Sequence, residues 1–99
     1  MNGGHWLICA DGTWPIPAVR KPLFEQADVV VACDGAYDQC LEHGILAHVV
    51  LGDMDSVENT DETSGTLWVH KTSQEKSDLS KAFEFAQEHD AEIIDVIGV

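Results

Sequence analysis

Positive charge is what this chain most lacks. Five Lys and Arg stand against eighteen Asp and Glu in 99 residues, for a formal net charge of −13. That shortage argues against nucleic acid or an anionic membrane as partner, because both are held by clusters of basic side chains. Long apolar runs are missing too, and nothing approaches the ~20 residues that span a bilayer. The start, Met1-Asn2-Gly3-Gly4-His5, has no basic stretch leading into an apolar one, so no signal peptide is expected. The three cysteines (Cys9, Cys33 and Cys40) include no C-x-x-C pair, and the five histidines show no zinc spacing with each other or with cysteine. Reduced thiols in a cytoplasmic protein are the expectation. Repeats, low-complexity tracts and interdomain linkers are absent, which leaves one domain. Phosphate chemistry stays open to so acidic a chain only if a divalent cation brings the missing charge.

What is present is a core. At 44% hydrophobic residues the chain can bury one, and the apolar residues are grouped. His5–Ala10, Asp28–Cys33, Ala47–Leu51, Thr66–His70 and Ala91–Ile97 read as five short strands, the second nearly all β-branched. Unbroken apolar runs suit parallel strands covered on both faces. Between them, residues 17–26 predict a short helix in which Pro22 should sit near the start or break it. Residues 36–43 predict two turns stopped by Gly44. Residues 78–89 predict the clearest helix, with Leu79, Ala82, Phe83 and Ala86 on one face and Ser77 or Asp78 as N-cap. Alternating strand and helix predicts an α/β fold: Rossmann-like, a mostly parallel sheet with helices on both faces in three layers.

Open α/β sheets bind ligands beyond the carboxyl ends of their strands. Here three successive strand ends deliver an Asp beside a Gly: Asp11-Gly12, Asp34-Gly35 and Gly52-Asp53-Met54-Asp55-Ser56. Asp78 opens the best helix. With ten Asp in the chain, about one D-x-D arises by chance, and Asp-Gly is an ordinary turn dipeptide. Placement at consecutive strand ends is therefore the informative feature. Carboxylates two residues apart on a tight turn can hold Mg²⁺, and Gly35 and Gly52 let phosphate approach backbone N–H groups.

Other residues carry less. Lys76 and Lys81 flank Asp78 and could touch phosphate, although an exposed helix face is the simpler place for Lys81. Arg20 and Lys21, the adjacent basic pair, are expected at the surface. His70, at a strand end, and Trp14 and Trp68 could meet a ligand, with packing at least as plausible for the two tryptophans.

Three segments together resemble one family. Val29-Val-Val-Ala-Cys-Asp-Gly-Ala36, Val49-Val-Leu-Gly-Asp-Met-Asp-Ser56 and Gln74-Glu-Lys-Ser-Asp-Leu-Ser-Lys-Ala82 resemble, in order and spacing, the catalytic domain of thiamine pyrophosphokinase over nearly all of residues 5–99. The resemblance implies Mg²⁺-dependent transfer of diphosphate from ATP to the hydroxyl of thiamine, giving thiamine diphosphate and AMP. It implies Asp53, Asp55 and Asp78 as the catalytic, metal-linked carboxylates. Asp34, Gly35, Gln74 and Lys76 would lie at the nucleotide and diphosphate, while Ser56 shapes its turn. It also implies a homodimer for the full-length enzyme. The family continues past a strand like Val96–Val99 into a Gly-Gly-Arg-x-Asp segment and a thiamine-binding β domain. Residues 1–99 therefore read as a catalytic domain truncated on its C-terminal side, and the isolated chain need not be active.

Alternatives follow from the same pattern. A pterin pyrophosphokinase has a similar sheet and carboxylates, and a non-catalytic fragment could still bind metal and nucleotide. A signalling receiver domain would need adjacent acidic residues after the first strand and a Lys after the fifth; this chain has a lone Asp11 and Gly98-Val99.

Overall fold

A computed structural model describes residues 3–52, 66–70 and 77–99. The element order is β1 (His5–Cys9), α1 (Pro17–Gln26), β2 (Val29–Cys33), a 3-10 turn (Asp34–Ala36), α2 (Tyr37–Glu42), β3 (Val49–Gly52), β4 (Leu67–His70), α3 (Asp78–Glu88) and β5 (Ile93–Ile97). These five strands form one sheet in the order β4-β3-β2-β1-β5, and every neighbouring pair is parallel. The α/β class expected from the sequence is the one observed.

The strand residues alternate between two cores. Leu7, Cys9, Val30, Ala32 and Val50 pack with Tyr37 and Cys40 of α2 and with Leu23 and Phe24 of α1. Trp6, Ile8, Val31, Val49 and Leu51 pack with Ala82, Phe85 and Ala86 of α3. Burial on both faces explains why β2 reads as five consecutive buried apolar residues. After β1 the chain builds one side of the sheet. It then returns over α3 and places β5 on the free side of β1, so the strand order reverses between β1 and β5.

Several local details differ from the sequence expectation. Pro22 lies inside α1 without ending it. Its missing N–H removes one intrahelical bond, the one to Ala18, which lies at the exposed start of the helix and can be solvated. β3 begins at Val49 rather than Ala47. Val30 N–H donates to the His48 ring Nδ1 at 2.9 Å, in place of a ladder carbonyl. Gly44 ends α2 as predicted, at φ +68°. Ile45 N–H reaches Cys40 O and Gly44 N–H reaches Leu41 O, the paired bonds of a left-handed helix stop. Ser77 is the N-cap of α3, accepting from Ser80 N–H at 3.2 Å. On that helix Leu79, Ala82, Phe83 and Ala86 meet the core as expected, and Phe85 is buried beside them, against Trp6 and His89.

Candidate active site

The turn after β1 is fixed by contacts too close for any side chain. Ala10 N–H donates to Ile97 O at 2.8 Å and Gly12 N–H to Gly98 O at 2.7 Å. A Cβ on Gly98 would stand 2.2 Å from Ala10 O, and one on Gly12 would stand 2.3 Å from Gly98 O. Two glycines thus clamp the chain leaving β1 onto the chain leaving β5, at the point where strand order reverses. Trp14 Nε1 donates to Ala10 O at 3.0 Å, and its ring lies against Phe24 and His43. Trp14 is therefore a packing residue of this turn.

The clamp aims Asp11 sideways, over the end of β2. The space that a side chain on Gly35 would need is occupied by the Asp11 carboxylate, whose Oδ2 lies 2.9 Å from that Cβ position. Gln39 Nε2 holds it there, donating to Asp11 Oδ1 and Gly12 O at 3.2 Å each. Glycine at position 35 is thus explained in part by Asp11. Local pattern identified Asp11 only as a strand-end residue, and nothing in it singled out Gln39.

Asp34 follows β2 directly and begins the 3-10 turn. Asp78 is the first residue of α3, where a helix favours negative charge. Gly52 closes β3 at φ +153°, a backbone region that side chains disfavour, so the residue before Asp53 has a conformational reason to be glycine. Asp53, Asp55, Gln74 and Lys76, with Ser56, lie outside the described residues. Lys81 departs from expectation: it is 7% exposed rather than solvated, one turn into α3 on the side that meets the sheet. Trp68 packs edge-on against Tyr37 at 4.8 Å, and its indole N–H is buried without a hydrogen-bond partner.

Hard oxygen donors at strand ends suit Mg²⁺, and the carboxylates named above are donors of that kind. Among the described residues, no group of three or more His, Cys, Asp or Glu is placed to hold a metal. Beneath the turns the three cysteines are buried and form no disulfide. The Cys9 proton is held far above the ordinary thiol range by a hydrogen bond with Cys40, by burial, and by the neighbouring Cys40 and Cys33.

The family model described as thiamin pyrophosphokinase, catalytic domain, matches residues 20–99. The fold is similar to that of thiamin pyrophosphokinase from Candida albicans, with a TM-score of 0.72 and 20% identity, covering 89% of this chain and 35% of that one. It is also similar to yeast thiamin pyrophosphokinase, with a TM-score of 0.64 and 20% identity, covering 87% of this chain and 32% of that one. The chain spans about a third of the length of these two proteins. No curated protein matches it significantly. No helix among the described residues is long and apolar enough to cross a membrane.

Proposed function

The chain belongs to the thiamin pyrophosphokinase catalytic-domain family, and from that premise we propose that it supplies the nucleotide and metal side of diphosphate transfer from ATP to thiamine. The products are AMP and thiamine diphosphate. The supporting observation is the family match over residues 20–99, joined to carboxylates that the sheet delivers at its carboxyl edge.

In this reading Asp53, Asp55 and Asp78 hold Mg²⁺. When bound, that ion neutralises charge on the phosphate oxygens, which a chain with five basic residues cannot do alone. Asp34, Gly35 and Gln74 orient the nucleotide and diphosphate, and Lys76 contacts phosphate. Asp78 or Asp55 accepts the proton of the thiamine hydroxyl as its oxygen attacks the β-phosphorus and AMP leaves. Most of the rate then comes from positioning the two substrates in line. Asp11, held over Gly35 by Gln39, adds a further carboxylate at this edge and helps to confine the cation. The setting is cytoplasmic and the full-length enzyme a homodimer.

The test is product analysis with ATP and Mg²⁺ on a C-terminally extended form of the chain. AMP and thiamine diphosphate should form together with thiamine as acceptor. AMP release that follows a hydroxymethylpterin instead would reassign the acceptor to a pterin. Stable aspartyl phosphate after incubation with acetyl phosphate would overturn the reading in favour of a receiver domain.

A further inference from the structure

Two of the five basic side chains, Arg20 and Lys21, have no part in that function. They share a cavity of about 220 Å³ with Phe24 and Glu25 of α1, His43 at the end of α2, and Ile45. The cavity is on the face of the sheet covered by α1 and α2. Phe24 and Ile45 are half-buried and packed on the core below, so the floor is apolar. We propose that this cavity is a binding site for a small aromatic anion: one ring carrying a single phosphate or carboxylate group.

The size sets the first limit. Sites for drug-sized ligands run to ~300–1,000 Å³, so this one suits a single ring with one substituent. Charge sets the second. In a chain with net charge −13, adjacent cations at one cavity mark the place where an anion is least repelled. Arg20 spends one donor on Pro15 O, at 3.2 Å, which fixes the side chain and leaves the rest of its five-donor fork available. His43 Nδ1 donates to Gln39 O at 2.8 Å, leaving Nε2 as the free ring nitrogen. The His43 ring is itself seated on Trp14, with centroids 5.1 Å apart. Glu25 supplies the third limit: its carboxylate disfavours a polyanion, so a nucleoside triphosphate is a poor occupant. None of the six lining residues belongs to the carboxylate site, and the proposal stands or falls separately from the assignment of diphosphate transfer.

The test is an NMR titration of the chain with phenyl phosphate, without divalent cations, beside inorganic phosphate and phenol. Phenyl phosphate should saturate and shift amides at residues 20–25 and 43–45. Either half-ligand should bind at least tenfold more weakly. Lys21→Ala, an exposed change that leaves the Arg20 contact intact, should weaken phenyl phosphate at least fivefold, and Glu25→Gln should tighten it. Inorganic phosphate binding as well as phenyl phosphate, an unchanged affinity in Lys21→Ala, or shifts confined to other residues would each overturn the proposal.

Discussion

The two ends of the sheet use acidic side chains in opposite ways. Around the first residue of β1, two carboxylates have structural partners. Asp28 Oδ2 accepts the His5 backbone N–H at 2.9 Å, and Asp95 pairs with the His5 ring across β1 and β5. At the carboxyl end the backbone is what is specialised: Gly12 and Gly98 are clamped, Gly35 is covered by Asp11, and Gly52 takes a conformation reserved for glycine, while Asp34 and Asp78 begin a 3-10 turn and a helix. An aspartate that answers a local donor stabilises the fold.

This contrast can be broken most directly through activity. Asp53→Asn and Asp78→Asn should each lower AMP release with thiamine by about 100-fold, the scale of a lost metal contact. Asp28→Asn and Asp95→Asn should stay within about threefold of the parent. Equal losses at both ends would erase the distinction.

The glycine clamp comes next. Gly98→Ala, at φ +82° with a Cβ 2.2 Å from a carbonyl oxygen, should cost about 3 kcal/mol in chemical denaturation, from overpacking and a left-handed backbone together. Gly44→Ala meets nothing within 4 Å and should lose only the ~1 kcal/mol of its positive φ. Similar losses at the two sites would show that the turns of β1 and β5 are not pressed together.

A smaller effect is expected from the amino end alone. Asp28→Ala removes the acceptor for His5 N–H and should cost about 1 kcal/mol, lowering the melting temperature by several degrees without altering nucleotide affinity.

The smallest effect at ordinary pH concerns the thiols under the carboxyl-end turns. A thiol reagent at pH 8 should find none of the three in the native chain and all three after unfolding. Because the folded pKa of Cys9 is raised, its contribution to stability is complete below the unfolded value near 9.0. It should decline as pH rises past that value, by about 1.4 kcal/mol per unit. Stability that stays flat from pH 9 to 10.5 would contradict the burial described for Cys9.

The fold was legible because parallel strands buried on both faces leave a plain mark, such as Val29–Cys33, and because Gly44 and Ser77 are strong local stop and start signals. Strand ends carrying Asp and Gly could be read for the same reason: they are local. What escaped depends on topology. Gly12 meets Gly98 only because β5 crosses to the far side of β1, and Gln39 reaches Asp11 across 28 positions. The expected stripe of Leu79, Ala82, Phe83 and Ala86 does meet the core, but Phe85 joins it, so the covered part of α3 is wider than the spacing predicts and Lys81 is buried with it. Pro22 misled through local propensity, which an exposed first turn overrides.

If the carboxyl-end aspartates, rather than acidity in general, bind the nucleotide with its metal, single Asp→Asn changes at the two ends of the sheet should separate. Calorimetric titration of Mg²⁺-ATP into the parent chain, Asp53→Asn and Asp95→Asn tests it side by side. The account predicts binding by the parent and by Asp95→Asn with the same affinity, and at least tenfold weaker binding by Asp53→Asn. Equal affinities for Asp53→Asn and the parent would contradict it.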